Sequence, residues 1–169
     1  MSTPSHNAEA DREILITRTF AAPRTLVFQA WGSAEHLRRW YAPSGCTLTS
    51  CAIDFRAGGS LRLCIRTPDG YECWCRGTYR DVVAPERIVF TLENTDASGA
   101  PLAQGANGMD PEWPTLTTVT VTFADLGATT RMTLHQTASE QVAKRTGAYP
   151  SWLSMFDRLD HLLAVPRSP

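Results

Sequence analysis

The sequence has no excess of either charge, no paired-cysteine motif and no long apolar run, and each absence removes a class of function. Sixteen Lys and Arg stand against seventeen Asp and Glu, for a formal charge of -1, so nothing calls for phosphate backbones or an anionic bilayer, and no nucleic-acid partner is expected. No stretch reaches the ~18 apolar residues needed to span a membrane. Met1 to Arg12 is polar with no apolar h-region, so neither a signal peptide nor an anchor is expected, and the cytoplasm is the expected compartment. Five cysteines is an odd number without C-x₂-C spacing; they read as free thiols, with no metal and no cofactor expected. His6, His36, His135 and His161 bring no carboxylate partner to a common point, so no catalytic residue is assigned and the reading leans away from an enzyme.

What is present suits one domain. A chain of 169 residues, 43% hydrophobic and 20% charged, is long enough to bury roughly two-thirds of its unfolded surface without a metal or disulfide. Residues 1–12 are expected to be a flexible tail and 13–165 a single domain. Ile14–Phe20 is β-branched and aromatic and predicts a strand. Pro23 opens a helix carrying Leu26, Val27, Ala30 and Trp31, and Ser33 is the expected N-cap of a second, which stops at Pro43. A meander follows over Thr47–Phe55, Leu61–Arg66, Tyr71–Val83 and Arg87–Glu93, broken at Gly58-Gly59, Pro68-Asp69-Gly70 and Ala84-Pro85. Leu116–Phe123 and Thr129–Thr137 predict another hairpin. From Ser139 onward a helical stripe of Val142, Tyr149, Trp152, Phe156, Leu159 and Leu163 predicts one long helix, kinked at Pro150.

The order strand, two helices, six strands, helix is that of an α+β domain with a curved antiparallel sheet of seven strands. Pro68-Asp69-Gly70 favours a type I turn with a glycine bulge, placing Thr67 opposite Tyr71, Ile65 opposite Cys73 and Leu63 opposite Cys75. Leu61, Leu63, Ile65, Tyr71, Cys73, Cys75 and Tyr79 then share one face. Arg62, Cys64, Arg66, Glu72, Trp74, Arg76 and Arg80 share the other, with Arg66 paired to Glu72. One helix cannot fill the concave face of such a sheet, and the remaining space is an expected apolar cavity lined by Leu63, Ile65, Tyr71, Cys73, Cys75, Tyr79, Phe90, Met132, Trp152 and Phe156. The connection Asn94–Pro114 is longer than a hairpin needs. It reads as a mobile lid anchored by Met109 and Trp113, or as a surface excursion whose Trp113 plugs a gap beside the sheet.

Phe20-Ala21-Ala22-Pro23, Arg39-Trp40, Ile53-Asp54-Phe55-Arg56-Ala57-Gly58-Gly59, Gly77-Thr78-Tyr79, Pro85-Glu86-Arg87-Ile88-Val89-Phe90-Thr91, Thr130-Arg131-Met132-Thr133-Leu134 and Ser151-Trp152 leading to Phe156-Asp157-Arg158-Leu159 together resemble one bacterial family. It comprises homologues of the heat-shock-protein-90 ATPase activator, within the START-like (SRPBCC) superfamily. The resemblance implies a helix-grip fold, related to the birch-pollen allergen and lipid-transfer domains, with a cavity between sheet and long C-terminal helix. It implies no reaction: members of the superfamily bind lipids, hormones and polyketides, and a few are cyclases or aromatases. Nor does the name carry chaperone work to this chain, because the activator docks largely through a second, N-terminal domain for which one domain's length leaves no room.

The first expectation is therefore a binder of a small apolar molecule. A second is an interaction module, chaperone-related, stress-related or a homodimer, docking through Trp74, Arg62, Arg66, Arg76 and Arg80. A third is a polyketide-cyclase-like enzyme using Tyr71 or Tyr79 as acid. Asp54 and Arg56 read as turn-stabilising residues, with a ligand-binding pair as the alternative.

Overall fold

The computed structural model describes residues 11–164. Its elements run β1 (Glu13–Phe20), α1 (Arg24–Gln29), α2 (Ala34–Trp40), β2 (Thr47–Ile53), β3 (Ser60–Arg66), β4 (Glu72–Val83), β5 (Arg87–Thr95), a 3₁₀ turn (Ala106–Gly108), β6 (Leu116–Asp125), β7 (Thr130–Ser139), α3 (Glu140–Thr146) and α4 (Ala148–Ala164). The strands form one antiparallel, curved sheet in the order β1-β7-β6-β5-β4-β3-β2. Alternation decides which face of each strand is covered. In β1, Ile14, Ile16 and Phe20 are buried while Leu15 is exposed, and in β7 Met132, Leu134 and Gln136 are buried.

Helices α1 and α2 carry the chain from one edge strand, β1, to the other, β2. Ser33 caps α2, accepting from the His36 N–H at 3.1 Å. Helix α4 buries Trp152, Met155, Phe156 and Leu159. It is fastened to the chain after α2, where Arg158 donates to the Ala42 carbonyl at 2.6 Å and the Ser44 N–H donates to Ser154 Oγ at 2.7 Å.

The β3–β4 hairpin has the expected register, with Leu63 opposite Cys75, Ile65 opposite Cys73 and Arg66 opposite Glu72. The Thr67 N–H donates to the Tyr71 carbonyl at 2.9 Å and Gly70 has a φ of 91°, as a glycine bulge requires. Arg66 and Glu72 pair at 3.1 Å. Asp54 and Arg56 pair with each other at 2.9 Å, both exposed, beside the Gly58-Gly59 turn.

Three expectations are corrected. The C-terminal helix is broken at Gly147, whose φ of 93° ends α3, rather than kinked at Pro150. Pro150 falls in the first turn of α4, where its missing N–H leaves no helical bond unmade. Strand β5 runs on to Thr95, so the long connection begins two residues later than Asn94. Asp11 and Arg12 are tied down rather than part of a free tail: the Glu140 N–H donates to the Arg12 carbonyl at 2.7 Å, the Gln141 N–H donates to Asp11 at 3.2 Å, and the Arg12 guanidinium meets the Glu140 carboxylate. Residues 1–10 and Val165 lie outside the described residues.

Candidate ligand-binding site

Six of the residues expected to line a cavity, Leu63, Tyr79, Phe90, Met132, Trp152 and Phe156, belong to one buried cluster between the sheet and α4; Ile65 and Cys75 pack partly buried at its edge. The α1–α2 segment adds Trp31, Trp40 and Tyr41 to the same space. Their rings interlock with those of α4 and β5: Trp31 lies 4.7 Å from Trp40, 6.2 Å from Phe90 and 6.5 Å from Phe156, and Tyr41 lies 5.8 Å from Trp152. The cavity between Trp31, Tyr41, Leu63, Tyr79 and Phe90 measures about 10 Å³, room for one water. The expected wide cavity is closed at this point by Trp31 and Tyr41. In the sequence these rings are marked only by their places, Trp31 at the end of the first predicted helix and Trp40-Tyr41 just before the stop at Pro43.

Polar tips survive in this interior. Trp152 Nε1 donates to Gln136 Oε1 at 2.9 Å and Gln136 Nε2 to Thr117 Oγ1 at 3.0 Å, a buried chain linking α4 to β7 and β6. Trp40 Nε1 donates to the Ala30 carbonyl at 2.9 Å, while Trp31 Nε1 is buried without a partner. Burial pushes the hydroxyls of Tyr41 and Tyr79 well above the ordinary tyrosine value, and the Cys75 thiol up to about 12. These groups stay protonated at neutral pH. They can donate hydrogen bonds but supply no thiolate or phenolate nucleophile. Among the described residues no three His, Cys, Asp or Glu side chains are grouped to hold a metal. His135 pairs with Glu13 at 2.8 Å on an exposed part of β7, away from this space.

Tyr71 and Cys73 are displaced from where the cavity was expected. They share a face with Leu63 and Tyr79, as the register requires, but lie beyond the buried cluster; Tyr71 is 51% exposed and Cys73 is also exposed. With Met109 they line a groove of about 470 Å³, together with Trp74, Asn94 and Leu102. The groove exists because the chain leaves the sheet after Thr95. It closes a tight turn, with the Asp96 N–H donating to the Ala100 carbonyl at 2.9 Å, and returns past Asn94, whose carbonyl accepts from the Leu102 N–H at 3.0 Å.

Each wall is held from outside the groove. The Arg62 guanidinium stacks 4.6 Å from the Trp74 ring centroid and donates to the Ala97 carbonyl, and Arg76 donates to the Gly99 carbonyl at 3.1 Å. Asn94 Nδ2 lies 3.5 Å from the Met109 sulfur. Beyond Met109, Arg145 of α3 pairs with Asp110 at 2.7 Å and with Glu112 at 2.8 Å, and this pairing holds the Asp110 carboxyl below its usual range. Trp113 packs partly buried against the core cluster and does not line the groove, so the two expected lid anchors part company.

The model of the family described as "Activator of Hsp90 ATPase homolog 1-like protein" matches residues 21–164. This chain belongs to that family. Among solved structures it is similar to a Mycobacterium smegmatis protein (22% identity, TM-score 0.76, covering 94% of this chain and 98% of that one) and to one from Arthrobacter aurescens (21%, 0.74, 96% and 95%). It is also similar to the AHSA1 protein of Silicibacter pomeroyi (19%, 0.71, 92% and 98%). At these identities the likeness to the solved structures is one of fold. No curated protein matches the sequence. The family's fold is one that commonly binds ligands or interacts with partners.

Proposed function

We propose that this protein binds a small molecule with an apolar body, seated in the groove between the start of β4 and the connection that follows β5. The observation that carries the reading is the groove's size and lining. About 470 Å³ lies within the range of small-molecule sites, and Tyr71, Trp74, Leu102 and Met109 give it apolar surface, with the Asn94 amide, Thr95 and the Glu72 and Asp96 carboxylates as polar points, Glu72 paired with Arg66 and Asp96 accepting from Ser98. A flat ring system could lie against the Tyr71 ring and the Met109 thioether, whose polarisable sulfur favours aromatic contacts.

A second seat lies in the interior first expected from the sequence, between sheet and α4, where the unpartnered Trp31 N–H adjoins the 10 Å³ cavity. It would admit an apolar ligand with a hydrogen-bond acceptor only if Trp31 or Tyr41, which close it, moved aside.

Titration with the neutral dye N-phenyl-1-naphthylamine, followed by its fluorescence, separates the two. Tyr71 is exposed, so Tyr71→Ala should leave the unfolding midpoint within about 1 °C while weakening dye affinity about tenfold, the loss of ~1.4 kcal/mol expected for one aromatic contact. Affinity unchanged by Tyr71→Ala but lost in Trp152→Ala would move the site to the interior.

A further inference from the structure

On the face of the sheet turned away from α4, a second groove of about 550 Å³ crosses β3, β4 and β5, and Arg62, Arg76 and Arg80 line it with Leu116 at its border. We infer that this groove docks an acidic, extended peptide segment of a partner protein. The charge is one-sided: three guanidiniums face one carboxylate, Glu93, which is 3.0 Å from Arg76 and neutralises a single arginine. The remaining guanidiniums have donors to spare. Arg62 spends Nη2 on the Ala97 carbonyl, which leaves Nη1, its Nε being buried out of reach. Arg76 spends Nε on Glu93 and Nη1 on the Gly99 carbonyl, which leaves Nη2. Arg80 is exposed and makes no hydrogen bond or ion pair with another described residue.

The spacing favours a strand of peptide over a single small anion. Arg62 lies directly opposite Arg76 on neighbouring strands, whereas Arg80 is four residues further along β4, roughly 13 Å away at ~3.3 Å per residue. One phosphate cannot bridge that distance, but an extended peptide with carboxylates on alternate residues can. Gly77 and the small Thr78 line the groove between them, and Leu116, 51% exposed, offers an apolar contact at the border. The chemistry of the basic groups agrees. Lys144 is the only lysine in the sequence, so basic recognition here rests on planar guanidinium forks, which match carboxylates in two-point contacts. A nucleic acid would require a wider basic field than a chain of net charge -1 provides.

Fluorescence anisotropy of a labelled octapeptide alternating glutamate and serine, titrated with the full chain at low ionic strength, tests the assignment. Saturable binding is expected, weakening as salt is raised. Arg80→Glu should lower the affinity about tenfold or more and Arg80→Ala by less, since Arg80 holds no other element and both variants should keep the parent circular dichroism. Equal binding of a lysine–serine octapeptide, or unchanged affinity in a folded Arg80→Glu variant, would overturn the inference. So would displacement of the acidic peptide by inorganic phosphate at low millimolar concentration, which would make the groove a small-anion site.

Discussion

Cys75 packs at the edge of the core opposite Leu63, and its thiol is pushed from 9.0 up to about 12, chiefly by burial, with smaller pushes from Cys73, Cys64 and Cys51. A folded value above the unfolded one has a definite sign. Below about pH 9 both states keep the proton and the stabilisation is whole; from about 9 to about 12 the unfolded chain releases a proton that the folded chain retains, so stability falls as pH rises. Tyr79 and Tyr41 act in the same direction, starting about one unit higher. Urea unfolding of the parent and of Cys75→Ala should therefore run parallel up to about pH 9. Above it, the variant should lose stability less steeply, by up to about 1.4 kcal/mol per pH unit for one group. Curves that stay parallel throughout would show that Cys75 ionises in the folded state as it does in the unfolded chain. The same raised values explain why Tyr79 makes a poor general acid at neutral pH, which weakens the cyclase-like reading.

The connection from Asp96 to Thr115 is built in two parts with separate supports. The first turn is held by Arg62 and Arg76 through the Ala97 and Gly99 carbonyls, and the second by Arg145 through Asp110 and Glu112. Arg145→Gln should leave the fold intact but raise hydrogen exchange across residues 106–113 and weaken dye binding several-fold, because Met109 lies one residue from the anchor. Exchange unchanged there would mean that the Trp113 contact with the core already holds the segment. Parts of this layout were legible in the sequence. Pro68-Asp69-Gly70 determined the β3–β4 register through turn geometry, and that register correctly put Tyr71 and Cys73 on the face of Leu63. It could not say how far along β4 the helix reaches, because coverage depends on where α4 is docked and not on any pattern within β4. Pro150 misled for a local reason: a proline reads as a kink unless the helix start is known, and the start was set by Gly147 taking a positive φ. Arg145 gave no signal, since its partners are 33 and 35 residues earlier in the chain.

Across the whole molecule the sheet carries two unlike grooves, one at the start of β4 whose lining includes Tyr71, Cys73 and Trp74, and a basic one across β3, β4 and β5 lined by Arg62, which also stacks on the Trp74 ring of the first. Between the sheet and α4 lies an interior in which aromatic rings occupy most of what a helix-grip fold can leave open. No described helix is long and apolar enough to cross a membrane. The account turns on where a small apolar molecule settles, and a two-dimensional ¹⁵N NMR titration with N-phenyl-1-naphthylamine reads this directly at every backbone amide and tryptophan indole. Shifts should concentrate at 71–74, 94–97 and 102–109, with the indole of Trp74 moving and that of Trp31 still. Perturbation centred on Trp31, Tyr41, Trp152 and Phe156, with the groove amides unmoved, would contradict it.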